Sequence, residues 1–128
     1  MKNYSRQEIL DLIEETAREA GFIKWNEGQN DETEIYKEGI AVLQAESNLN
    51  PIAMNMNEDN SIDIGICQWN SDWHCTNEIK KNHPDEYIHP KDALDPEKAL
   101  KLFWKIFPKR PECWTTYRNK KYLQFLKS

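Results

Sequence analysis

Apolar side chains recur at helical spacing in the first twenty residues. The repeating positions are Ile9, Ile13, Ala17 and Ala20. Ser5, followed by Glu8 three residues later, has the form of a capping box, and Gly21 is a usual helix terminator. The pattern predicts a first helix over residues 6–20.

A second helical pattern follows a polar connector that runs from Phe22 to Asn30. Its start signal is Asp31 with Glu34 three residues later. Its apolar positions are Ile35, Tyr36, Ile40, Val42 and Leu43. Pro51 is expected to stop this helix.

Glu46 takes an unusual position in this second pattern. It follows Leu43 by three residues, so on a continuous helix its side chain projects from the apolar face and not from the solvent-exposed face. Burial disfavours the charged form of a carboxyl group, and the negative end of the helix dipole acts in the same direction. We therefore expect the pKa of Glu46 to be raised.

Residues 54–62 are dense in Asn and Asp, which favour turns, and they predict a short hairpin or polar loop. Beyond the turn the chain alternates between polar and apolar positions. Ser61, Asp63 and Gly65 would share one face of a strand, and Ile62, Ile64 and Ile66 the other. Asp63 is then presented to solvent or to a cleft, and Gly65 lets the backbone come close to another group.

The second half of the chain is mainly helical by the same criteria. A short helix is expected from Asn77 to Lys81, and Asp95 with Pro96 opens a strong third helix that ends before Pro108. The apolar stripe of that helix is Ala99, Leu102, Phe103, Ile106 and Phe107. The segment from Glu112 to Leu126 is predicted as a last helix, and Trp69 and Trp104 are predicted to be core residues. Together the patterns predict one mainly helical α+β domain over residues 1–128, with a small β-hairpin between helices.

Composition disfavours several classes of function. The chain has 128 residues, of which 38% are hydrophobic and 30% charged, as is usual for one folded domain. Its net charge of −5 disfavours binding to nucleic acid or to an acidic membrane surface. No run is long and apolar enough to insert into a bilayer, and the first residues lack the apolar core of a signal peptide, so the chain is expected to be made in the cytoplasm without an evident export signal.

The cysteines do not predict a disulfide framework or a metal site. Cys67, Cys75 and Cys113 are odd in number and include no Cys-x-x-Cys pair. The spacing of Cys75 relative to His74 and the two later histidines matches no usual zinc site. We therefore expect no metal and no cofactor.

Two carboxylates in different environments are what the cleavage of a glycosidic bond requires. One, in apolar surroundings, donates a proton to the leaving oxygen, and the other stays charged and attacks or stabilises the oxocarbenium-like centre. Glu46 and Asp63 suit these two roles. Candidate sugar-binding side chains near them are Asn55, Asn57, Ser61, Gln68 and Asn70.

The same segment resembles the active-site segment of the c-type lysozymes. The similarity runs without a gap through Glu46-Ser47-Asn48-Leu49-Asn50, Ala53, Asn55, Asn57, Asp59, Ser61, Asp63, Gly65-Ile66, Gln68, Asn70-Ser71, Trp73 and Cys75. Glu46 and Asp63 are 17 residues apart, as the two catalytic acids are in that family. The resemblance implies a helix-rich lysozyme fold that cleaves peptidoglycan between N-acetylmuramic acid and N-acetylglucosamine. It also implies that Trp73 stacks on sugar at the cleft edge and that Trp114 packs on the acid.

The chain departs from that family in ways that keep other functions open. The family's full set of eight cysteines is absent, with only Cys75 clearly matched, and the missing disulfides suit a bacterial or phage protein. Cys67, Trp69 and Ile64 replace more usual residues, which leaves the shape of the cleft open. The segment also resembles the soluble lytic transglycosylases, which use the glutamate alone and release an anhydro sugar. A third alternative is a non-catalytic glycan-binding or virion structural module, and a fourth is a wall-opening unit of a phage virion or secretion assembly.

Overall fold

The computed structural model describes residues 2–126, and it confirms the mainly helical α+β class with a small β-hairpin. The α-helices are α1 (Arg6–Glu19), α2 (Glu34–Ser47), α3 (Ser71–His74), α4 (Asn77–Asn82), α5 (Pro90–Ala93), α6 (Pro96–Ile106) and α7 (Thr115–Arg118). The strands are β1 (Ile23–Asn26), β2 (Gln29–Glu32), β3 (Met54–Met56), β4 (Ile62–Ile64) and β5 (Trp69–Asn70). Single 3-10 turns cover Pro84–Glu86, Pro111–Cys113 and Lys121–Phe125.

Helix α1 begins as the sequence predicts. The Ser5 hydroxyl accepts a hydrogen bond from the Glu8 amide, and the Glu8 carboxylate accepts one from the Ser5 amide. Helix α1 packs against α6, where the Trp104 indole N–H donates to the Thr16 hydroxyl at 3.1 Å. Since both groups are buried, this bond satisfies two polar atoms inside the helix interface.

The polar connector after α1 forms a second hairpin that the sequence pattern did not predict. Strands β1 and β2 pair antiparallel around Glu27 and Gly28, which both have positive φ as a tight two-residue turn requires. The predicted helix start at Asp31 is therefore wrong, because Asp31 lies in β2. The N-cap is Thr33, whose hydroxyl accepts from the Tyr36 amide and donates to the Phe22 carbonyl.

Helix α2 ends earlier than the predicted stop at Pro51. Its last residue is Ser47, and Asn48 closes the helix in the left-handed conformation with φ of 53°. The Ser47 hydroxyl donates to the Ile66 carbonyl at 2.7 Å. The end of α2 is thereby tied to the chain that follows β4.

Strands β3, β4 and β5 form an antiparallel sheet with β4 at its centre. Asp63 lies opposite Asn55 on one neighbour and opposite Asn70 on the other. Gly65 follows β4 with φ of +78°, and a Cβ built there would lie 2.0 Å from the Ala93 carbonyl oxygen. The close backbone approach expected at Gly65 is confirmed.

The apolar face of α6 supplies much of the core. Of the predicted stripe, Leu102 is only half-buried while the other positions are buried, and the core also takes in Leu100. Trp69 and Trp104 are buried, as predicted. Edge-to-face aromatic contacts join Trp114 to Trp69, Phe103 and Phe107.

The predicted last helix from Glu112 to Leu126 is wrong. Instead of one helix the segment contains α7 between two 3-10 turns, and Lys120 breaks it with φ of 64°. None of the helices within residues 2–126 is long and apolar enough to cross a membrane.

Candidate active site

A cleft of about 480 Å³ opens between the β3–β5 sheet with α3 on one side and residues 113–118 on the other. Its lining residues are Glu46, Asn57, Asp59, Ser61, Asp63, Gln68, Trp69, Asn70, Trp73, His74, Cys113, Trp114, Thr115 and Arg118. The fold thus brings together eight of the nine residues that the sequence predicted for the site. Asn55 is the exception, because its side chain is turned to Gln68 and does not line the cleft.

Glu46 reaches the cleft from the last turn of α2 and is half-buried. Its carboxylate accepts two hydrogen bonds from Thr116, one from the hydroxyl at 2.7 Å and one from the backbone N–H at 3.2 Å. Burial raises the pKa of Glu46, the two Thr116 bonds partly offset the rise, and the nearby Asp63 charge adds to it. The net direction is upward, as expected from the sequence.

Thr116 is a site residue that sequence reasoning missed. It lies in the first turn of α7, where a backbone N–H has no partner within its own helix, and no side chain of α7 caps it. The Glu46 carboxylate, which comes from α2, accepts the hydrogen bond from this N–H. Spacing cannot show a contact between residues 70 positions apart. The one available signal was the neighbouring Trp114, which the resemblance places against the acid.

Asp63 faces the same cleft from the central strand of the sheet and is half-buried. The Asn70 amide donates to one of its carboxylate oxygens at 2.9 Å. No hydrogen bond involves its other oxygen within the described part of the chain. One oxygen is thus held in place and the other stays accessible to a ligand.

A polar network centred on Ser61 supports this side of the cleft. The buried Ser61 hydroxyl donates to Asp59 at 2.6 Å and accepts from the amides of Asn57 and Asn70 at 3.1 and 3.0 Å. The Ser61 bonds lower the pKa of Asp59, which keeps that carboxylate charged. The network fixes the turn from which Asp63 projects.

Two of the predicted sugar-binding amides have all their donors and their oxygen engaged in hydrogen bonds within the protein. Gln68 donates to the carbonyls of Ala53 and Gly65 and accepts from Asn55. Asn70 donates to Ser61 and Asp63 and accepts from the Asp72 amide, which caps α3. These side chains therefore hold the hairpin in shape and position Asp63.

The two tryptophans implied by the resemblance occupy different parts of the cleft. Trp114 is buried in the wall that also contains Glu46, and its indole N–H donates to the Cys67 carbonyl at 2.9 Å. Trp73 lies at the rim with 58% of its surface exposed. An exposed indole beside polar groups is suited to stack on the apolar face of a sugar ring.

His74 and Arg118 also line the cleft, and neither was predicted as a site residue. His74 is buried, and its Nδ1 lies 3.0 Å from the Glu86 carbonyl oxygen. Burial, followed by the positive charge of Arg110, lowers the pKa of His74 to about 4. It is therefore a neutral imidazole near pH 7.

The histidines and cysteines do not assemble into a metal centre in the described chain. Within residues 2–126 no group of three or more His, Cys, Asp or Glu side chains is placed to hold a metal ion. The three cysteines are free thiols, with Cys67 buried, Cys75 half-buried and Cys113 exposed.

Comparison with family models and with curated proteins finds no match for this chain. The geometry of the cleft and the local similarity of its sequence are therefore the two indications of function. Chemically, the cleft offers a shielded carboxyl group and a second carboxylate with one accessible oxygen, flanked by an exposed tryptophan.

Proposed function

We propose that the protein is a muramidase that cleaves the β-1,4 bond between N-acetylmuramic acid and N-acetylglucosamine in peptidoglycan. The observation that carries the proposal is the pairing of Glu46 and Asp63 across one cleft in contrasting environments. The similarity of residues 46–75 to the c-type lysozymes gives the substrate class. An exposed tryptophan at the rim is consistent with a glycan ligand.

Glu46 acts as the general acid. Its raised pKa keeps a proton available above the usual titration range of a glutamic acid, and this proton passes to the glycosidic oxygen as the bond to the sugar C1 breaks. The departing N-acetylglucosamine then leaves as an alcohol, and Glu46 becomes a carboxylate.

Asp63 acts on the positive charge that develops at C1. Its carboxylate attacks that carbon or stabilises the oxocarbenium-like centre, and Asn70 holds it in position meanwhile. Glu46, now a base, takes a proton from water as the water oxygen adds to C1, and where Asp63 has bonded to C1 that bond breaks in the same step. The product carries a reducing end, and both acids return to their starting protonation states.

The test is digestion of purified peptidoglycan, with mass spectrometry of the released fragments. Glu46→Gln removes the proton donor with little change in shape and should abolish release. Glu15→Gln, on the exposed face of α1, is the matched control and should leave release unchanged. Full activity in Glu46→Gln would overturn the mechanism.

The same experiment separates the alternatives. Products that end in a 1,6-anhydro ring, with activity retained in Asp63→Asn, would assign the protein to the lytic transglycosylases. Binding to peptidoglycan without any cleavage by the folded wild-type protein would assign it to the non-catalytic glycan-binding modules.

A further inference from the structure

The charges that line the cleft are unequal in number. Three lining residues carry carboxylates, Glu46, Asp59 and Asp63, and among the described residues the only lining Lys or Arg is Arg118. His74 does not alter this balance near pH 7, because its pKa is lowered to about 4. One guanidinium therefore stands in an otherwise acidic cleft.

Arg118 is held in place and keeps free hydrogen-bond donors. It lies at the end of α7, where its guanidinium donates to the Glu112 carbonyl and, at 2.9 Å, to the Thr115 hydroxyl. Within residues 2–126 it forms no ion pair with a carboxylate. A guanidinium has five N–H groups, so donors remain for a ligand in the cleft.

Arg118 lines the same cleft as Glu46, so it can meet a ligand near the bond that Glu46 would protonate. Its positive charge acts on the Glu46 carboxyl group and lowers its pKa, against the larger effect of burial. A cation placed here opposes the role of Glu46 as a proton donor. A ligand carboxylate that neutralised Arg118 would remove this opposition when the substrate binds.

We propose that Arg118 binds the free lactyl carboxylate of an N-acetylmuramic acid residue that carries no stem peptide and lies next to the scissile bond, and that the cleft thereby selects peptide-free acidic glycan strands over neutral ones. This inference rests on the proposed function, because it takes Glu46 as the point of cleavage. The stem peptide of peptidoglycan is joined to the lactyl group as an amide, so a muramic acid residue without its peptide carries the free carboxylate nearest the bond. Arginine is well suited to it, since its planar fork matches a carboxylate.

The test measures binding, so that it does not depend on catalysis. The Glu46→Gln variant and the Glu46→Gln/Arg118→Gln double variant are titrated calorimetrically with peptide-free glycan strands. A matched ligand is the same strand with its lactyl carboxylates reduced to alcohols. We expect Arg118→Gln to weaken binding of the acidic strand about tenfold or more, and binding of the reduced strand less than about twofold.

Arg118→Lys is the control variant, because it keeps the charge and loses the planar fork. It should recover part of the affinity for the acidic strand. Thermal unfolding of each variant shows whether the substitution has altered the fold. A wild-type protein that cleaves no glycan while this binding pattern holds would overturn the proposed catalysis and leave the role of Arg118 in place.

Three results would overturn the inference. Equal weakening for the acidic and the reduced strands would make Arg118 a structural residue. If the effect of Arg118→Gln is absent with peptide-free strands and appears when the titration is repeated with peptide-bearing wall fragments, the recognised carboxylate lies on the stem peptide. Failure of Glu46→Gln to bind any of these glycans would remove the ligand altogether.

Discussion

Thr116 donates two hydrogen bonds to the same carboxylate oxygen of Glu46, from its hydroxyl at 2.7 Å and from its backbone N–H at 3.2 Å. Both bonds favour the charged form of Glu46, whereas burial favours the protonated form and has the larger effect. The protonation of Glu46 on α2 thus depends on two opposing effects, its burial and its hydrogen bonds to Thr116 on α7.

Thr116→Val removes the hydroxyl bond and keeps the shape of the side chain. The pKa of Glu46 should rise further, because its carboxylate loses a donor while it stays buried. For a general acid, activity falls as pH rises through its pKa, so the alkaline limb of the pH–activity curve should move to higher pH. Thr116→Ser keeps a hydroxyl and should leave the limb in place, and a Thr116→Val curve identical to wild type would refute this role.

The positions of the two carboxylates could be predicted because they follow from local sequence patterns. The position of Glu46 follows from helical spacing after Leu43, and that of Asp63 from strand alternation after a polar turn. Both side chains line the cleft, as does Trp73. Short-range periodicity determines which face of a helix or strand a side chain occupies, and for Glu46 and Asp63 that face is the one that lines the cleft.

What the sequence pattern missed depends on contacts between distant segments. Thr116 meets Glu46 only because α2 and the end of the chain pack together. The β1–β2 hairpin could not be predicted, because β2 has four exposed polar residues and no alternation of apolar and polar positions. The last segment has helical apolar spacing, but its helix is interrupted at Lys120, where φ is 64°.

Asn70 should act on the reaction by positioning Asp63. Asn70→Ala removes the donor to Asp63, the donor to Ser61 and the N-cap of α3. Loss of the cap alone should lower the free energy of unfolding by about 1 kcal/mol. With Asp63 no longer held, kcat should fall much more than KM rises.

The matched variant is Asn70→Asp, which keeps the cap acceptor and replaces the amide donor by a second negative charge. Its new carboxylate lies against Asp63 and cannot donate to Ser61, so the variant should lose some stability although the cap is kept, and it should still lose kcat. A rise in KM alone in either variant would instead make Asn70 a direct sugar ligand.

Gly65 is predicted to be essential for folding. A Cβ at this position would lie 2.0 Å from the Ala93 carbonyl oxygen, and φ is +78°. Gly65→Ala should therefore cost more than about 3 kcal/mol of unfolding free energy, measured by urea denaturation.

Gly28 provides the control for that substitution. It has a similar φ of +80°, but nothing lies within 4 Å of a Cβ built there. Gly28→Ala should cost only the backbone strain, roughly 1–2 kcal/mol. Equal costs at the two glycines would show that the contact with Ala93 does not constrain the fold.

His74 should make stability depend on pH between its unfolded and folded pKa values. Burial and the charge of Arg110 lower its pKa from 6.5 to about 4, so the unfolded chain binds a proton in this window that the folded protein rejects. The contribution of the neutral His74 to stability is therefore fully present above about pH 6.5 and is lost as pH falls towards 4. The shift corresponds to roughly 3 kcal/mol.

His74→Gln removes the titrating group and keeps an amide that can donate to the Glu86 carbonyl, to which Nδ1 is now bonded. Urea denaturation of both proteins at a series of pH values from 4 to 7 isolates the contribution of His74. The carboxyl groups that titrate over the same range, Glu46 among them, affect wild type and variant alike and cancel in the difference. We expect the wild type to lose roughly 3 kcal/mol more than the variant over this range. Parallel stability curves would mean that the imidazole accepts a proton in the folded state, and that the cleft carries a second cation in acid.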